Sequence, residues 1–108
     1  MIINFDKIDE TVTPNFKGGE KEAATRVFDN GKIRVLTLKL VPGASIGMHT
    51  HETNSETMYV IEGKGKVVYD GKIWELAKGN CHYCGLGHSH SIINDGDSDL
   101  ILFAQIIS

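Results

Sequence analysis

Three histidines and one glutamate are the side chains of this sequence best suited to chemistry. His49 and His51 stand two apart, Glu56 follows five positions later, and His90 lies well downstream. In an extended chain, residues two apart point to the same side, so His49 and His51 present two imidazoles to one space. Thr53-Asn54-Ser55 forms a polar connection in which a short reversal could return the Glu56 carboxylate beside them. His90 would have to arrive from a later strand, which local sequence does not decide. Imidazole nitrogens with one carboxylate oxygen suit Fe, Mn, Zn, Ni or Cu, and suit Ca or Mg poorly. An octahedral ion held by four such ligands keeps two positions open for water or substrate, whereas a closed tetrahedral zinc site keeps none. Spacing alone is equally compatible with histidines that only make hydrogen bonds, because short motifs match by accident.

The elements that must position these residues read as strands. Asn30-Gly31 and Asp70-Gly71 are tight-turn signals, since both accept the positive φ that hairpins need. Between them, Lys32 to Val41 alternates with Leu36, Leu38 and Leu40 on one face, and Pro42-Gly43 ends the run. Thr57–Glu62, Lys66–Tyr69, Lys72–Leu76, Cys81–Cys84, His88–Asn94 and Leu100–Ile107 are further strands, with Gly63-Lys64-Gly65, Gly79 and Gly85-Leu86-Gly87 as turns. Neither proline falls in a strand so assigned. Residues 1–26 are irregular, broken by Pro14, Gly18 and Gly19, with Glu20–Arg26 able to form a turn of helix. This segment reads as an arm that packs on the body or on a second subunit, and residues 27–108 as the β domain. Short strands punctuated by glycine argue for an all-β sandwich or barrel rather than a parallel α/β sheet.

Length and charge narrow the function classes. A chain of 108 residues holds one core. The net charge of −3 offers no basic face for nucleic acid, so a small molecule or another copy of the chain is the expected partner. No stretch approaches the ~20 apolar residues that cross a bilayer. The N-terminus has neither the basic lead nor the apolar run of a signal peptide. Two cysteines make no disulfide scaffold, and a cytoplasmic protein is expected.

The chain resembles the cupin superfamily on two motifs. The first reads Gly43, five residues, His49-Thr50-His51, four residues, Glu56, six residues, Gly63. The second reads Gly79, five residues, Gly85, Leu86, Gly87, two residues, His90, three residues, Asn94, with Gly85 standing where the family has proline. Fifteen residues separate the motifs, similar to the shortest spacing in single-domain bacterial cupins. The resemblance implies a single-domain jelly-roll β-barrel with an irregular N-terminal arm. It also implies one divalent transition metal ion (Fe, Mn, Zn or Ni) held by His49, His51, Glu56 and His90, and a homodimer. Gly43, Gly63, Gly79 and Gly87 would serve turns.

Other residues are read as structural. His88 could share the face of His90 as a fifth ligand or proton shuttle, but it follows Gly87 and belongs to the turn. Cys81 and Cys84 lie three apart, on opposite faces of a strand, and no second pair completes a four-thiolate zinc site. They read as buried or barrel-lining thiols. Tyr59, Ile61, Trp74 and Phe103 read as core or subunit-interface residues. The apolar last strand, if it lay at an edge, would need cover, and a dimer would supply it. Two functions remain open: a metal-dependent enzyme on a small oxygen-rich molecule, for which the resemblance allows dioxygenase (an oxidoreductase), isomerase, decarboxylase or lyase chemistry, or a non-enzymatic binding or sensor module for a sugar or metabolite.

Overall fold

The computed structural model describes residues 1–108. Ten strands follow in order: β1 (Thr11–Pro14), β2 (Glu22–Asp29), β3 (Ile33–Leu40), β4 (Ser45–Thr50), β5 (Ser55–Glu62), β6 (Lys64–Tyr69), β7 (Lys72–Ala77), β8 (Cys81–Cys84), β9 (Ser89–Ile93) and β10 (Leu100–Ile107). They form a six-stranded sheet, ordered β1-β2-β3-β10-β5-β8, and a four-stranded sheet, ordered β4-β9-β6-β7, with every pairing antiparallel. The two sheets make a jelly-roll fold, as the resemblance implies. Their inner faces meet on Leu36, Leu38, Leu40, Met58, Val60, Leu100 and Leu102 from the larger sheet, and on Ile46, Val67, Leu76 and Ile92 from the smaller. The alternation of Leu36, Leu38 and Leu40 is therefore the inward face of β3. Burying one such leucine contributes about 1.5–3 kcal/mol.

Turn chemistry follows the sequence closely. Asp70 and Gly71 both take positive φ, closing the β6–β7 hairpin. Gly43, Gly63, Gly79 and Gly87 all have φ between 84 and 90°. At Gly63 the backbone also passes so close to Asp99 that a Cβ would overlap the Asp99 carbonyl. Asn94, fully buried, clasps the last turn: its side-chain amide donates to the Leu40 and Ser98 carbonyls and its Oδ1 accepts from Gly96 N–H.

Several expectations are corrected. Glu20–Arg26 holds no helix. Ala23, Ala24 and Thr25 are buried in β2, whose ladders to β1 and β3 override the helix-forming residues of that run. Pro14 does lie in a strand, the edge strand β1, where its missing N–H costs no pairing. Strand β10 is not an edge. It pairs β3 on one side and β5 on the other, so its apolar sequence needs no covering subunit. Strand β6 starts at Lys64, leaving Gly63 alone in the turn. Tyr59, Ile61 and Trp74 lie outside the core, on the exposed surface. Phe103 is half-buried, with the Phe5 ring edge-on against it at 6.2 Å. The segment before β1 is tied down by Arg26, whose Nη1 donates to the Phe5 and Ile8 carbonyls.

Candidate metal centre

Strand β4 would hide the wrong side chains if it alternated strictly. Ile46 faces the core, so Met48 and Thr50 should follow it inward and the histidines should face water. Instead the β4–β9 register pairs Ile46 with Ile92 but His49 with His90, so Gly47 and Met48 together oppose Ser91 alone. Two residues against one is a β-bulge, which re-aims the side chains beyond it. Met48 is thereby exposed and His51 buried. The Ser91 hydroxyl donates to the Ile46 carbonyl at 2.6 Å, bridging the interrupted ladder. His51 lies one residue past β4, yet its backbone is held on both sides: its N–H donates to the His88 carbonyl and its carbonyl accepts from Gly87 N–H.

The other two residues come from opposite sheets. Glu56, near the start of β5, belongs to the larger sheet, and His90, fully buried on β9, to the smaller. One donor atom from each of His49, His51, Glu56 and His90 lies within 4.8 Å of all the others. The His90 Nε2 is 3.0 Å from His51 Nε2, 3.1 Å from His49 Nε2 and 3.1 Å from Glu56 Oε1, and His51 Nε2 is 3.2 Å from the same oxygen. The structure thus brings together all four residues singled out in the sequence.

Their protonation suits a cation. His49 Nδ1 lies 2.8 Å from the Gly47 carbonyl and His51 Nδ1 lies 2.5 Å from Asn54 Oδ1. Both partners only accept, so each ring carries its proton on Nδ1 and aims a bare Nε2 at the shared volume. Lone pairs converging at such distances repel unless a positive charge lies between them. The donor set also has the right span. For a donor–metal distance of about 2.1 Å, donors at right angles stand about 3.0 Å apart and tetrahedral neighbours about 3.4 Å. Four of the six donor separations, at 3.0–3.2 Å, match the right-angled arrangement, and all six lie within 4.8 Å. The four residues could hold a metal ion.

The charges follow from burial and neighbours. Burial is the largest influence on Glu56 and pushes its carboxyl up, but the contact with His90 and the three nearby imidazoles outweigh it, leaving the pKa below the ordinary range. Burial holds His49 below the usual histidine value.

A cavity of about 310 Å³ opens over His49, His51 and Glu56. Its walls are Phe16, Leu36, Leu38, Ile46 and Ile106, and its charged lining residues outside the cluster are Lys17, Arg34 and Glu52. Arg34 spends its Nε on Asp29 at 3.3 Å, and its two terminal nitrogens make no hydrogen bond within the chain. His90 closes the cluster from behind. Behind it stands His82, a partner that sequence reasoning passed over, with Nε2 at 2.9 Å from His90 Nδ1. Burial first, and the neighbouring His90 second, lower the His82 pKa to about 4. One signal for His82 was available, since it shares a strand face with the buried Cys84.

The remaining candidates separate from the cluster. His88 bonds the Asp70 carboxylate through Nδ1 and stacks on Tyr69, and its hydrogen bond holds Asp70 below the ordinary carboxylate range. Cys81 is exposed and Cys84 buried, on opposite faces of β8 as expected, so only Cys84 keeps its reading as an interior thiol. Burial pushes the Cys84 thiol up to about 11. Both are free thiols.

Residues 36–106 match the cupin domain. The chain is 32% identical over 113 residues to an oxalate-binding protein of Thermotoga maritima, covering 99% of this chain and 93% of that protein. A crystal structure of a predicted oxalate decarboxylase from Thermotoga maritima superposes with a TM-score of 0.93 at 32% identity, over 99% of this chain and 98% of the other. A sugar phosphate isomerase from Silicibacter pomeroyi superposes with a TM-score of 0.80 at 20% identity, over 100% of this chain and 76% of its own, a likeness of fold alone.

Proposed function

The chain belongs to the cupin family, and on that premise we propose that it holds one divalent transition metal ion through His49, His51, Glu56 and His90 and uses it to bind a small, oxygen-rich dianion of the oxalate type. The observation that carries this reading is the convergence of three imidazole nitrogens and one carboxylate oxygen beside a cavity that Lys17 and Arg34 also line. A bound ion supplies Lewis-acid attraction for carboxylate oxygens. The protein supplies the rest. A divalent ion offsets the charges of Glu56 and Glu52, which leaves Lys17, and Arg34 beyond its pairing with Asp29, as positive charge facing a dianion. The cavity, at about 310 Å³, is at the small end for ligand sites, and apolar walls stand beside its charged groups. The oxalate-binding relative fits the same ligand chemistry.

The test is metal analysis of untagged protein, followed by calorimetric titration of oxalate into metal-loaded and metal-free samples. Oxalate should bind the loaded form alone. Protein that holds no metal, and is indifferent to replacement of His49 and His51, overturns the reading.

An enzymatic reading rests on Glu52, the one carboxylate in the cavity wall outside the cluster and so the one placed to exchange a proton with a bound ligand. Carbon dioxide release or oxygen uptake on adding oxalate, abolished by Glu52→Gln, would establish it. Binding without turnover assigns the chain to the receptor class.

A homodimer and a cytoplasmic location complete the proposal. The exposed Tyr59, Ile61 and Tyr83 on the outer face of the larger sheet support pairing, and the exposed free thiol of Cys81 suits a reducing compartment. Light scattering of wild type and Tyr59→Glu tests the dimer.

A further inference from the structure

The three candidate histidine ligands are oriented by different kinds of partner. His49 and His51 each give their Nδ1 proton to an oxygen that can only accept, the Gly47 carbonyl and Asn54 Oδ1. His90 has a second imidazole instead, with His82 Nε2 at 2.9 Å from its Nδ1. An imidazole nitrogen can either give or receive, so this contact has two proton arrangements and only one of them suits a ligand. If His82 donates, the His90 proton must sit on Nε2, pointing into the cluster and blocking it. If His90 donates, its Nε2 is bare and His82 carries its own proton on Nδ1.

We propose that His82 is a positioning residue for the metal centre: its Nε2 receives the Nδ1 proton of His90 and keeps the His90 Nε2 lone pair aimed at His49, His51 and Glu56. The inference rests on the metal reading given above. Three features of the fold hold this contact in place and make the required tautomer possible. His82 lies on β8 of the larger sheet and His90 on β9 of the smaller, so the bond ties the two sheets together behind the cluster. The Tyr69 ring packs edge-on against His82, with centroids 5.3 Å apart at 78°. His82 also lines a second cavity of about 280 Å³ with Tyr69, Asn80 and Tyr83, on the side away from the cluster. Its Nδ1 makes no hydrogen bond within the chain and is not a sealed, unsatisfied atom, so it reaches that cavity and can give its proton to water there. The required tautomer of His82 thus has a partner on both nitrogens.

The pair also crosses the wall between the two cavities. His90 backs the floor of the first and His82 lines the second. A change at His82 therefore acts on the cluster through one hydrogen bond, without touching the ligand cavity.

The test compares wild type, His82→Leu and His82→Gln. Glutamine can set its Oε1 near the place of the imidazole Nε2 as an acceptor, whereas leucine fills space with no acceptor. Each folded protein is titrated with Co²⁺, following affinity and the visible absorption bands, and each zinc-loaded protein is examined by ¹⁵N NMR of its imidazoles. His82→Leu should lose about 10–100-fold in metal affinity, the usual effect of removing a partner that orients a ligand. It should also shift the cobalt bands, while His82→Gln recovers most of both. In zinc-loaded wild type the His90 proton should be found on Nδ1. Equal affinity and spectra in wild type and His82→Leu overturn the inference while the metal reading stands, and so does a His82→Gln protein as impaired as His82→Leu. Wild type that takes up no Co²⁺ overturns both.

Discussion

His49 and His90 stand directly opposite each other across the β4–β9 ladder, with their Nε2 atoms 3.1 Å apart. Strand pairing, which is backbone chemistry, therefore sets the distance between two candidate ligands before any side chain adjusts. Glu56 comes to them from the other sheet. Packing of the sheets and completion of the cluster are one event.

Metal should therefore act as a folding ligand. An ion at a hundred times its Kd adds about 2.7 kcal/mol, or roughly 10–20 °C in Tm for a domain near this size. Thermal melts with and without Co²⁺ or Zn²⁺ should show that rise in wild type and none in the double variant His49→Ala/His51→Ala.

Metal-free protein should lose stability in mild acid. His82 takes up its proton near 4 when folded and near 6.5 when unfolded, so between those values the unfolded chain binds more protons and acid favours it. The lowered value of His49 acts in the same direction. Glu56, also lowered, adds a further loss once pH falls below its ordinary value of 4.5. Urea denaturation at a series of pH values from 7 to 4 should give a falling midpoint, with a shallower fall in His82→Leu.

Gly47 has two roles. Its carbonyl orients His49, and its missing side chain leaves room for the Lys17 carbonyl, which a Cβ would overlap. Gly47→Ala should cost about 1–3 kcal/mol, as overpacked sites do. It should also weaken metal binding, because the segment of Lys17 and the bulge must part. Urea denaturation and a cobalt titration check the two effects separately.

Arg34 separates ligand from metal. Removing a charge-assisted hydrogen bond costs about 1.5–3 kcal/mol, so Arg34→Gln should weaken oxalate binding about tenfold or more. Its cobalt affinity should match wild type. Calorimetry with both titrants on the same sample measures the pair.

Much of this was legible in the sequence for identifiable reasons. The inward leucines of β3 and the Asp70-Gly71 hairpin are local, governed by alternation and by φ at two residues. His49, His51, Glu56 and His90 were found because their spacing matches a family motif. Strands β1 and β2 were missed because neighbours distant in sequence, not local propensity, make Glu22–Arg26 extended. His82 was missed because its partner is eight residues away on another sheet, and because its setting between two cysteines draws attention to the thiols. Lys17 and Arg34 reach the cavity from the N-terminal turn and from β3, a convergence that no linear spacing records.

The bulge at Gly47-Met48 has a further consequence, for anyone transplanting or searching for such a centre. The histidine pair is out of step with the apolar frame of its own strand, and one surplus residue corrects the count. Set into a regular strand with all six residues kept and no bulge, His-Thr-His would display both rings to solvent and turn Met48 and Thr50 inward. The portable unit is therefore Ile46 through His51 together with Ser91, whose hydroxyl closes the gap. A single-residue deletion at Met48 would remove the surplus residue itself, closing the bulge while leaving Ile46, His49 and His51 two apart on one inward face.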